Sequence, residues 1–166
     1  MTFADLLPGD AVFVDANTFS YHFEPHPRWG PPCSDLLRRI ENQELVGFTS
    51  THVLSEVSHR LMTIQASALL GWPFAGIGNR LRTNPAEVQK LTAFRQAIDK
   101  GLQSRIQVLT IPPALLATAA AVCQQIGLLT NDGLIVAVMQ ANGLTNLASN
   151  DTDFDRVPGL RPYAPA

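Results

Sequence analysis

Val12–Phe19 reads VFVDANTF, and it decides how the rest of the chain is organised. The run that opens it, Ala11–Val14 (AVFV), is short, apolar and rich in β-branched residues. It follows Pro8-Gly9 and stops at Asp15. A run of this kind between turn formers reads as a strand buried on both faces, as in parallel sheets. Asp15 then stands at the carboxyl end of a strand, the edge at which open α/β sheets bind ligands.

Leu45–Thr49 (LVGFT), Ile106–Ile111 (IQVLTI) and Thr145–Ala148 read as further strands, with Arg161–Tyr163 a short edge strand. Helical patterns lie between them. Ser34 caps a helix to about Gln43. Ser50 or Thr51 caps a long helix with Val53, Leu54, Val57, Leu61 and Ile64 at helical spacing. Asn84, Pro85 and Glu87 give the start signal of a helix to about Gly101. Pro112-Pro113 opens a helix that Gly127 stops, and Thr130 or Asn131 caps another that ends at Asn142-Gly143. His22–Asp35, with four prolines and a glycine, reads as a loop, and Gly71–Asn84 as turn-rich. Strands alternating with helices predict an α/β fold: a Rossmann-like, three-layer α/β/α arrangement around a parallel sheet of four or five strands. The 166 residues fit a single domain, with its core over about 11–161.

Acids recur at one edge of that sheet. Asp15 follows the first strand, and Asp151 and Asp153 follow the fourth. Asp132 begins a helix, and Glu56 lies early in the helix after the second strand. Any one of them alone reads as a turn former or a cap. Together they form a carboxylate cluster that cannot ionise fully without a cation. Oxygen ligands without His or Cys suit Mg²⁺ or Mn²⁺ better than Zn²⁺. Hydrolysis of a phosphodiester is the chemistry such centres commonly perform. Asp155, the third acid of the stretch, is expected to face water or pair with a neighbouring arginine.

Composition narrows the alternatives. Net charge is −2, so a strongly basic nucleic-acid footprint is absent and any such contact needs a local patch. Cys33 and Cys123 are the only cysteines, which suggests neither a disulfide framework nor a metal knuckle and fits a reducing, cytoplasmic setting. The first residues lack the basic and apolar regions of a secretory signal, and no stretch approaches the ~18 apolar residues of a membrane span.

Four stretches carry a resemblance: Val12–Phe19, Thr49–Leu61 (TSTHVLSEVSHRL), Leu128–Leu144 (LLTNDGLIVAVMQANGL) and Leu147–Leu160 (LASNDTDFDRVPGL). In order and spacing the chain resembles the PIN-domain nucleases, which include the VapC-type toxins of bacterial toxin–antitoxin pairs. Asp15 and Asn17 match the first motif, and Ser50 with Glu56 the second. Asp132 matches the third, and Ser149, Asp151, Asp153 and Phe154 the last. The resemblance implies a metal-dependent endoribonuclease acting on RNA. Asp15, Glu56, Asp132 and Asp151 would form its Mg²⁺ or Mn²⁺ site, with Asp15, Asp132 and Asp151 as metal ligands and Asp153 as a fifth acid. Asn17, Ser50 and Ser149 would orient ligands or waters. It further implies an antitoxin protein partner and a homodimer. The chain is longer than the family's compact toxins, with the extra length in the Pro-rich loop and in Gly71–Asn84.

Other readings compete less well. Counting a calcium loop from Asp151 puts Arg156 and Pro162 where glycine and glutamate are required. A phosphatase pair after the first strand would be Asp15 and Asn17, and a receiver domain needs a late lysine where only Arg156 stands. His52, Glu56 and His59 share a helical face but lack the HExxH spacing of a zinc site. Trp29 and Trp72 are candidates for base stacking, and Arg28, Arg60, Arg80 and Arg82 for phosphate contacts. A non-catalytic PIN-like module that binds RNA or protein is the alternative from a different functional class.

Overall fold

β1 (Ala11–Val14) is the central strand of a parallel sheet, and Val12, Phe13 and Val14 are completely buried. The computed structural model describes residues 1–24 and 26–166; Pro25, one of the prolines of the expected loop, lies outside the described residues. The other strands are β2 (Val46–Ser50), β3 (Gln107–Leu109), β4 (Asn146–Ala148) and β5 (Arg161–Tyr163), in spatial order β3-β2-β1-β4-β5. Val12 pairs with Gly47 on one side and Asn146 on the other. The chain steps outward from β1 to β3, then returns to place β4 beside β1. That reversal puts the topological switch point between β1 and β4.

Right-handed crossovers assign the helices to layers. The connections β1-to-β2 and β2-to-β3 cover one face. They hold α1 (Ala16–Phe23) and α2 (Gly30–Glu41), then α3 (Thr51–Leu70), α4 (Ile77–Thr83), α5 (Pro85–Val88) and α6 (Ala93–Gln103). The return from β3 carries α7 (Ala114–Ile126) and α8 (Thr130–Ala141) across the other face. α8 is buried from Gly133 to Met139 because it is sandwiched. Ile135, Val138 and Met139 join the main core, whereas Leu134 and Ala137 pack with Ala119 of α7. Gly133 permits the closest approach of the two helices: a Cβ there would lie 2.3 Å from Cys123 Sγ and 3.0 Å from Ala119 O.

Three local expectations need correction. The Pro-rich loop is shorter than His22–Asp35, because α1 runs to Phe23 and α2 starts at Gly30 with Pro31 and Pro32 in its first turn. Proline fits there because the first-turn N–H groups have no helical partner. The helix expected over 84–101 is broken into α5 and α6, and α4 occupies part of the turn-rich segment before it. The Asn84 side chain turns back to Arg80 O instead of capping, and Glu87 pairs with Lys90. The start of α6 is instead capped from α3, where Gln65 Oε1 accepts the N–H groups of Thr92 and Ala93, each at 2.9 Å.

Candidate metal centre

The carboxyl ends of β1 and β4 bring Asp15 and Ser149 together. Asp15 is 6% exposed and caps α1, its Oδ1 accepting from Ala16 N–H at 2.6 Å. Its Oδ2 accepts from Asn17 Nδ2 and from Ser149 Oγ, both at 2.7 Å. Ser149 Oγ also accepts from Asn17 Nδ2 at 2.9 Å and from Asp151 N–H at 3.1 Å. Asn17 Oδ1 accepts the N–H of Asn150 at 3.1 Å. One buried network therefore fixes Asp15 and Asn17 of the first motif to Ser149–Asp151 of the last. Burial raises the Asp15 carboxyl to about 6, against the opposing hydrogen bonds from Ser149 and Ala16; Glu56 raises it further and Arg60 lowers it.

A second group of acids stands at the same edge. Asp132, Asp151 and Asp153 offer carboxylate oxygens that all lie within 4.8 Å of one another. Asp132 stands in the first turn of α8. Asp151 caps the 3-10 turn Thr152–Arg156, its Oδ1 accepting from Asp153 N–H at 2.9 Å, which sets the two acids side by side. The Asp132 carboxyl is raised, by burial first and then by Asp151, Asp153 and Glu56, with Arg60 opposing.

Glu56 is brought to this edge by α3, whose start is fixed by Ser50: Ser50 Oγ accepts from Val53 N–H at 3.2 Å. Glu56 Oε1 accepts from Arg60 at 2.6 Å, one helical turn on. The structure thus divides the expected acids. Asp132, Asp151 and Asp153 form the tight group, and Asp15 anchors the buried network beside it. Asp153, and not Asp155, pairs with Arg156, while Asp155 is exposed.

The donor set fits a hard divalent cation. It is all oxygen, its oxygens lie close together, and the Asp132 carboxyl is raised by burial and then by its acidic neighbours. Among the described residues no metal-ligating group includes His52 or His59, so the helical zinc patch is not assembled. Two participants escaped the sequence reading: Asn150, which acts through its backbone N–H, and Tyr21, whose hydroxyl accepts from Asn150 Nδ2 at 3.5 Å. Nothing in the pattern of residue types marks either. The Arg60 pairing with Glu56 was readable as an i, i+4 charge pair.

No curated protein sequence matches the chain. Among solved structures, it is similar to VapC20 of Mycobacterium tuberculosis, a sarcin-ricin loop cleaving toxin, with a TM-score of 0.59 and 19% identity over 89% of this chain and 95% of that one. It is similar to VapBC2 of Rickettsia felis bound to promoter DNA, with a TM-score of 0.57 and 17% identity over 93% and 98%. It is also similar to DNA-bound VapBC of Salmonella typhimurium, at 0.56 and 15% over 94% and 98%. At these identities the likeness establishes the fold. The PIN-domain family model matches residues 12–160, spanning every strand-end acid described above. The chain belongs to the PIN-domain family.

Proposed function

We propose that this chain is a Mg²⁺- or Mn²⁺-dependent endoribonuclease, the toxin of a toxin–antitoxin pair, acting as a single domain in the cytoplasm and pairing as a homodimer. The observation that carries the reading is the meeting of Asp132, Asp151 and Asp153 beside the buried Asp15 network, at the switch point of a PIN-family sheet. Among the described residues no single helix is long and apolar enough to cross a membrane. The similarity to a toxin that cleaves the sarcin-ricin loop and to two VapBC complexes supports the RNA substrate and the antitoxin partner.

In this reading Asp15, Asp132 and Asp151 hold the ion, with Asp153 beside them. A bound divalent ion supplies Lewis acidity at a phosphodiester and lowers the pKa of a water. The chain's own groups do the rest. Ser149 and Asn17 fix the Asp15 carboxylate through two short hydrogen bonds, so it needs no reorganisation when substrate arrives. Glu56 orients the attacking water and takes its proton. Arg60 pairs with Glu56 and fixes where its carboxylate points.

The test is cleavage of single-stranded RNA with and without EDTA. The wild type is expected to cut in Mn²⁺ or Mg²⁺ and to stop in EDTA. Asp132→Asn, half-buried at a helix start and free of structural hydrogen bonds, should keep the fold and lose cleavage at least a hundredfold. Cleavage by Asp132→Asn at the wild-type rate refutes the assignment.

A further inference from the structure

A cleft of about 600 Å³ opens beside the acids, between α1 with its following turn and the outer side of α3. Tyr21, Glu24 and His26 line one side of it, Arg60 and Ile64 of α3 another, and Phe74 of the turn after α3 completes it. Two links join this cleft to the acidic edge. Arg60 lines the cleft and donates to Glu56 at 2.6 Å. Tyr21 accepts from Asn150, the residue before Asp151. The cleft therefore begins one side chain away from the carboxylates.

Its aromatic faces are already set. His26 Nδ1 accepts the N–H groups of Arg28 at 3.3 Å and Trp29 at 3.1 Å, which fixes the ring and leaves its proton on Nε2 when neutral. The ring stacks on Trp29, with centroids 6.2 Å apart and planes at 15°, and the Arg28 guanidinium lies 4.0 Å from the Trp29 ring centroid. Tyr21 tilts against His26 at 5.2 Å. Phe74, by contrast, is 62% exposed, a large aromatic presented to solvent at the cleft. A fixed cation next to the acids with aromatic faces beyond it repeats the order of phosphate and base along a single strand. Stacking on such faces serves any base, but only one that is unpaired.

We propose that this cleft is a nucleobase subsite: it takes the unpaired base of the nucleotide adjoining the cleaved phosphate, stacked on the exposed Phe74 ring, with Arg60 on the intervening phosphate. The inference rests on the ribonuclease reading for the position of the base relative to the cut, and on the cleft alone for the binding.

Two measurements test it with a short single-stranded RNA and the same RNA made abasic at its central positions. The first is fluorescence anisotropy in EDTA, and the second is steady-state cleavage in Mn²⁺. The wild type should bind the intact RNA about tenfold more tightly than the abasic one. Phe74→Ala, at an exposed position that does not support the core, should erase that difference and raise KM for intact RNA about tenfold, with kcat moving far less. If the wild type cleaves both RNAs alike, or binds them alike or not at all, the subsite is overturned while the nuclease reading stands on its own cleavage. If the base preference is present and is lost in Phe74→Ala although nothing is cut, the subsite stands and the nuclease reading falls. A Phe74→Ala variant indistinguishable from wild type on intact RNA overturns the subsite and leaves the cleft to a peptide ligand.

Discussion

Asp15→Asn should reverse the way the metal-free protein responds to pH. The Asp15 carboxyl is raised from 3.8 to about 6, chiefly by burial. The folded protein therefore keeps a proton that the unfolded chain has already released. A raised folded pKa gives stability that is fully present below the unfolded value and lost as pH climbs through the folded one. The shift of about two units corresponds to about 3 kcal/mol lost between about pH 4 and about pH 7, at about 1.4 kcal/mol per unit. The raised Asp132 carboxyl acts in the same sense. Asparagine has no proton to release. It carries a pH-independent cost of about 1 kcal/mol, because its amide nitrogen would face the Nδ2 donor of Asn17, which now bonds Asp15 Oδ2.

The two stability curves should therefore cross. In urea unfolding with EDTA, the wild type should be the more stable near pH 3 by about 1 kcal/mol, and the variant near pH 7 by about 2 kcal/mol. Groups that titrate alike in both proteins cancel in the difference. Parallel curves, or a wild type that gains on the variant as pH rises, would mean that the folded protein does not hold the Asp15 proton. Added Mn²⁺ should then stabilise the ionised wild type by mass action near pH 7 and leave Asp15→Asn almost unmoved.

Three further outcomes are expected. Gly133→Ala should lose about 1–3 kcal/mol in chemical denaturation and weaken Mn²⁺ binding in calorimetry, since its Cβ would strike Cys123 Sγ and push the turn that carries Asp132; Cys123→Ala should restore part of both. Ser50→Ala, which removes the cap accepted by Val53 N–H, should cost about 1 kcal/mol of stability by the same measurement. Arg39→Ala should cost about 2–4 kcal/mol, because the half-buried guanidinium donates to Phe3 O at 2.9 Å and Leu6 O at 2.7 Å while pairing with Glu44; an unchanged urea midpoint would contradict that role.

Much of this molecule is legible from local pattern because a parallel sheet writes itself plainly. AVFV is apolar at every position since both faces are covered, and GLIVAVM is apolar all round because α8 lies between the sheet and α7. The strand-end acids follow from the same logic, since open α/β sheets bind their ligands at the carboxyl edge. What stays hidden depends on tertiary partners. The break between α5 and α6 hinges on Gln65 reaching across from α3 to cap a helix nearly thirty residues later in the chain. Tyr21 joins the site through a helix that begins within VFVDANTF itself, where strand chemistry dominates the reading.

The division among the acids has a single electrostatic cause. Asp15 is offset by the dipoles of Ala16, Asn17 and Ser149, and Glu56 by Arg60. Asp153 is offset by Arg156, which reads from the sequence equally well as a partner of Asp155. The backbone decides between those two. Asp151 caps the 3-10 turn and so draws residue 153, not 155, to its own side, and Arg156 follows at i+3. When these pairings are set aside, Asp132 and Asp151 remain without a salt-bridge partner among the described residues, and the Asp132 carboxyl is raised, by burial first and then by Asp151. The uncompensated charge of the whole edge is thus concentrated between the first turn of α8 and the end of β4. A divalent cation belongs there on charge balance alone, and the buried Asp15 beside it is the acid that such an ion would convert to its ionised form.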